Sequence, residues 1–182
     1  MTAQEKASGV TPWRRAKRPL VAAAGPYGRP FHPAIVPVPL GALLCSLAFD
    51  VGSRSGGPPD ALATGSDWLI GIGLAGAAPS MVLGFLDLVQ IPAGTRTMRL
   101  GLVHMALNVT ASTLYLGSYL VRRQRPRDGR GVRTGLIALS GAGFVLLTVS
   151  GHLGGKLAYR YGVRVVDESA QREGYRTAGA SA

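Results

Sequence analysis

Four long apolar stretches alternate along the chain with short polar segments rich in glycine, proline or arginine. The stretches run at about 35–52, 68–91, 100–121 and 134–159. Each comes close to the roughly 20 residues a helix needs to cross a hydrocarbon core. The third reads LGLVHMALNVTASTLYLGSYLV and carries no charge. Arg96 and Arg99 precede it, and Arg122, Arg123 and Arg125 follow it. Cations at both ends of an uncharged run are expected to snorkel into headgroups. The pattern predicts an all-α, four-transmembrane-helix bundle with disordered polar N- and C-terminal tails.

The connecting segments refine this picture. Residues 1–27 form a basic, proline- and glycine-containing tail, 28–166 the membrane domain and 167–182 a second flexible tail. Pro30, Pro33, Pro37 and Pro39 predict an extended or broken lead-in that delivers His32 to the membrane surface. Trp68 suits an interfacial anchor, and Pro79 predicts a kink in the second span. Gly73, Gly76 and Gly84 allow close helix approach, as do Gly151 with Gly155 and Gly154 with Ala158. GIGLAG at 71–76 matches GxGxxG formally, but inside an apolar span it reads as helix packing. No internal repeat stands out.

Composition narrows the classes. The net charge is +11, yet the cations sit in tails and loops between apolar runs, which fits membrane flanks and speaks against nucleic-acid binding. Cys45 is the only cysteine, so an intrachain disulfide and Cys₄ zinc or iron–sulfur ligation by this chain alone are excluded. It reads as a small buried apolar residue. The tails and the 92–99 turn carry thirteen Lys and Arg against seven on the opposite side. The positive-inside rule therefore favours cytoplasmic termini in a bacterial inner membrane, although six of the seven crowd into 122–133 and argue back.

The polar residues inside the spans are the candidate chemistry. His104 and Asn108 are four apart and share a helix face. His104 lies seventeen residues before Val121, and His152 eighteen after Thr134, so the two sit at similar depth about 26 Å from the loop between them. Asp87 and His32 fall toward the same membrane face. Asp50, near the other face, reads as a helix-end residue facing water or a loop. Three readings compete. His104 and His152 ligate a metal or haem iron, with Asp87 or Asn108 orienting an imidazole and His32 as a further ligand. Alternatively, His and Asp relay protons or line a small-solute path. In the third reading, these groups only hydrogen-bond one another and fix helix register. No CxxCH, Walker A loop or nucleophile elbow is present.

The motifs HPAIVPVPLG, GFLDLVQIP, RLGLVHMALN and SGHLGGKLAYRYGVRV, in that order, resemble a bacterial family of four-helix membrane proteins catalogued as a domain of unknown function. The resemblance covers about residues 31–165. Some relatives are joined to a Rieske iron–sulfur domain, which implies a redox role by analogy. The match marks His32, Pro33, Asp87, His104, Asn108, Gly154, Gly155, Tyr159, Gly162 and Val163. Many relatives have a second histidine where Pro37 stands, and some have one where Lys156 stands. Here His152 lies one turn earlier, so a histidine-ligated cofactor does not transfer automatically. Without Rieske cysteines in this chain, an iron–sulfur partner would be a separate redox protein. The resulting expectation is a haem b- or metal-binding electron-transfer subunit in contact with the bilayer. The alternatives are a structural or partner-binding membrane protein without a cofactor, and a small transporter, which four short spans disfavour.

Overall fold

The computed structural model describes residues 12–124, 128–173 and 175. Arg125 and Pro126 of the basic loop, and both extreme ends of the chain, lie outside them. The described residues contain helices and no strand. Four helices are long and apolar enough to cross a membrane: Phe31–Gly52, Pro59–Leu88, Arg96–Arg123 and Thr134–Arg160.

Sequence chemistry accounts for their ends. The first span is helical from Phe31, earlier than expected. Its prolines do not force an extended segment: the helix breaks at Val36, and Pro37 begins the next stretch, Pro37–Gly52, where a missing N–H costs nothing. The second span starts at Pro59, also as a first-turn proline, and runs nine residues ahead of the expected Trp68. Thr95 caps the third span by accepting from the Met98 N–H at 3.1 Å. The fourth ends in a π-helical turn, Lys156–Arg160.

The spans pack in chain order around a common axis, first beside second, third beside fourth, and the fourth closing on the first. Glycines set the closest approaches. A Cβ on Gly73 would lie 2.6 Å from Leu43, and one on Gly143 would lie 2.8 Å from Tyr115. Leu43, Ile70 and Tyr115 are completely or almost completely buried and fill the middle of the bundle with Leu74, Tyr119 and Leu147 around them. Gly151 and Gly155, by contrast, make no close interhelical approach. Cys45 is exposed on the outer surface rather than buried, which a membrane-facing apolar residue tolerates.

The two helical hairpins repeat one another, a relationship that sequence reading missed. His32, Leu43, Ser46 and Asp50 of the first span stand 72 positions before His104, Tyr115, Ser118 and Arg122 of the third. Gly73, Ser80 and Gly84 of the second stand 70 positions before Gly143, Ser150 and Gly154 of the fourth. Contacts repeat with the positions: Leu43 on Gly73 matches Tyr115 on Gly143, and His32 on Gly84 matches His104 on Gly154. The first and third spans run in the same direction, so the halves are parallel repeats about an axis along the membrane normal.

Part of the segment expected as a tail packs on the bundle. A helical turn Pro12–Arg15 and a 3₁₀ turn Ala22–Ala24 form a strap across the histidine-bearing end. Ala16 and Ala24 are buried, and Ala16 joins Leu88, Ile91, Met98, Met105 and Val163 in an apolar cluster. The Arg164 N–H donates to the Ala16 carbonyl at 3.0 Å, and its Nη2 donates to the Ala24 and Gly25 carbonyls.

Candidate functional site

Two polar centres lie on the axis, one toward each end, with the Leu43–Ile70–Tyr115 plug between them. In the first, His32 and His104 face each other with ring centroids 6.4 Å apart and planes at 82°. Each Nδ1 lies 2.8 Å from a backbone carbonyl, Ser80 for His32 and Ser150 for His104. A carbonyl only accepts, so each Nδ1 carries the hydrogen and each Nε2 holds its lone pair. Fixing Nδ1–H on a backbone carbonyl is how proteins set a metal-ligating imidazole's tautomer and orientation. The rings rest on glycines: a Cβ on Gly84 would come within 3.0 Å of the His32 ring, and one on Gly154 within 3.0 Å of His104.

Asn108 completes this centre. Its Nδ2 donates to Ser150 Oγ at 2.7 Å and the His104 carbonyl at 2.9 Å, and lies 3.2 Å from His104 Nε2. The shared helix face of His104 and Asn108 thus serves one hydrogen-bonded unit.

Other sequence candidates fall elsewhere. His152 is exposed on the outside of the fourth span and does not meet His104. Ser150 takes the inward position, and two residues along a helix turn the side chain by roughly 200°. The depth comparison ignored this rotation. His32, expected as a further ligand, is the histidine that meets His104. Asp87 orients no imidazole: its Oδ1 lies 2.8 Å from Nε of Arg164, which anchors the strap. Among the described residues no three His, Cys, Asp or Glu side chains group as a metal site.

The second centre was not anticipated. Asp50 is completely buried rather than facing water. Arg122 Nη1 and Nη2 donate to its two carboxylate oxygens, both at 2.7 Å. The Ser66 hydroxyl donates to Asp50 Oδ1, and Ser118 and Ser140 accept from Arg122 at 3.0 and 3.3 Å. Asp67 Oδ1 stands 3.5 Å from Arg122. Every span contributes to this centre. Arg122 therefore turns inward and does not snorkel, and a carboxylate at the equivalent position of the other hairpin offsets part of the cost of burying it. Ser46 and Ser118, each one turn before Asp50 and Arg122 in equivalent apolar spans, were the available sequence signal.

The histidine centre suits one metal by its donors. Two imidazoles sharing an ion through bonds of about 2 Å would hold their ring centres roughly 6 Å apart, close to the separation found. Among the described residues no third His, Cys, Asp or Glu groups with the pair, so the donor set fits an ion whose remaining positions come from a macrocycle better than a bare tetrahedral ion. The imidazoles themselves fill the space over Gly84 and Gly154, and the Asn108 amide, 3.2 Å from His104 Nε2, would have to turn away to admit an ion there.

No curated protein and no solved structure matches the chain. Residues 28–167, the four spans with their connecting loops and the segment after the π turn, match the family described as predicted membrane protein (DUF2231), and the chain belongs to that family.

Proposed function

We propose that the protein is a membrane electron-transfer subunit in which His32 and His104 hold one haem iron on the bundle axis. The observation that carries this reading is the symmetric histidine pair, each ring held by Nδ1–H on a serine carbonyl with Nε2 left basic. When bound, the iron would supply a one-electron couple. The chain's part is to fix both imidazoles, exclude water with the Leu43–Ile70–Tyr115 plug, and cover the site with the strap. Asn108 is a positioning residue through its bonds to the His104 carbonyl and the Ser150 hydroxyl. The site lies in a bacterial inner membrane with its strap and termini on the cytoplasmic side, where a separate redox protein exchanges the electron.

The test is iron and haem content of detergent-purified full chain from haem-replete cells. Close to one iron per chain is expected, falling to background in His32→Ala and His104→Ala.

One observation favours a second reading, a structural or partner-binding membrane protein without a cofactor. The centre is already knit together by Asn108, Ser150 and the serine carbonyls. In that case histidine variants would lower stability with no change in metal content. A transport role is the weakest, since the apolar plug crosses the axis between the two polar centres.

A further inference from the structure

The outward face of the fourth span departs from that of its repeat. At the inward positions Ser80 answers to Ser150 and Gly84 to Gly154. At the same offset on the outward face, Ala78, Val82 and Phe85 answer to Thr148, His152 and Gly155. Val82 and Phe85 are 61% and 52% exposed, as apolar side chains bathed in lipid are. The fourth span instead presents a hydroxyl, an imidazole and a glycine. His152 is exposed, and its ring finds no partner among the described residues. It lies five residues past the midpoint of Thr134–Arg160. That is about 8 Å along the helix, within a hydrocarbon half-thickness of about 15 Å. A short imidazole does not reach the headgroups from there, and a polar group facing lipid is costly. The other strongly polar side chains of the spans, such as His32, Asp50, His104 and Arg122, turn to the axis and find partners there.

His152 also stands in a continuous seam. Gly141, Val145, Thr148, His152, Gly155 and Tyr159 follow one another at alternating steps of four and three, each exposed or half-buried on the outer surface. This is the spacing with which two helices wind around each other. Gly141 and Gly155 meet nothing from the other spans, which leaves room for a second backbone. Whatever covers the seam has to supply a hydrogen-bonding group at the depth of His152. A second copy inserted in the same direction does so by symmetry. A neutral imidazole has one donor and one acceptor, so two of them complete each other across a two-fold axis. The Thr148 hydroxyl gives its hydrogen to the Phe144 carbonyl at 3.0 Å and keeps lone pairs to accept another. We propose that the protein is a parallel homodimer closed by its fourth spans, with the His152 rings of the two copies hydrogen-bonded across the axis. This pairing is independent of the histidine centre inside each bundle.

The test has two parts, both on the full chain. In a Cys45→Ala background, single cysteines are introduced by Thr148→Cys or by Val82→Cys, and isolated membranes are oxidised. Thr148→Cys should give a disulfide-linked dimer, and Val82→Cys should stay monomeric. Sedimentation equilibrium in density-matched detergent then gives the dimerisation constant. His152→Leu should weaken it by about three- to tenfold, the factor an interhelical hydrogen bond supplies in a membrane. Gly155→Leu should weaken it further by holding the helices apart. Melting temperatures of the variants are measured alongside, and if one does not fold the other carries the test. A monomeric wild type, equal cross-linking at the two cysteine positions, or an unchanged dimerisation constant in folded His152→Leu overturns the proposal.

Discussion

His32 and His104 occupy equivalent positions in two repeated hairpins and meet edge to face across the bundle axis, 6.4 Å between ring centroids. Each stands on a glycine of its own hairpin partner and bonds a carbonyl one turn before that glycine. Placing two ionisable rings there has a cost in an apolar bundle, and the carbonyl bonds offset part of it.

The glycine beds give the first prediction. Gly84→Ala and Gly154→Ala would drive a methyl to 3.0 Å from an imidazole ring edge. Overpacking of this kind costs about 1–3 kcal/mol. Gly151→Ala is the control: nothing lies within 4 Å of its Cβ, so it should be neutral or stabilise by up to about 1 kcal/mol through helix propensity. Unfolding curves of the three variants in one detergent check this. Equal losses at all three sites would mean that the rings do not rest on the glycines.

A second prediction concerns the Asp50–Arg122 pair. Asp50→Ala leaves a buried guanidinium without its carboxylate and should cost about 3–5 kcal/mol. The double replacement Asp50→Leu with Arg122→Met removes both charges and should recover most of that loss. Denaturant titration of the two variants measures the difference. A double variant no more stable than the single one would contradict the account of the pair.

The strap should respond to pH through Asp167. Its carboxylate accepts from the Tyr27 hydroxyl at 2.9 Å and lies 3.2 Å from Lys17 Nζ, and these contacts, Tyr27 first, hold it below the usual carboxylate range. A depressed value in the folded state means that docking is favoured above the unfolded value of about 3.9. The gain disappears as pH falls through the lower folded value. Emission of Trp13 in a Trp68→Phe background should therefore show a change as pH falls below about 4. Asp167→Asn should lack this acid-dependent change. Trp13 reports well, since Lys17 Nζ lies 5.3 Å from its ring centroid.

Much of the architecture was legible in the sequence. Long uncharged runs with arginine borders can only satisfy their backbone as helices in lipid, which fixed four spans and their order. Helix starts were less visible, because Pro59 and Pro37 serve as first-turn residues where proline usually signals a break. The site was half legible. Depth placed His32, His104 and Asn108 together, but rotation about the helix axis decides facing, and the fourth span is apolar on every side. Without an amphipathic contrast, nothing in the local pattern separates inward Ser150 from outward His152. The repeat stayed hidden because its halves share few identities: Leu43 answers to Tyr115, and Asp50 to the oppositely charged Arg122. That difference is also what makes the two halves complementary, since two copies of either charge would repel on the axis.

The most direct measurement is the visible absorption spectrum of the detergent-purified full chain from haem-replete cells, oxidised and then reduced with dithionite. The account predicts a Soret band that shifts and sharpens on reduction, is lost in His32→Ala and in His104→Ala, and persists in His152→Ala. A colourless protein without bound iron would contradict it, as would a band that depends on His152 and not on His32.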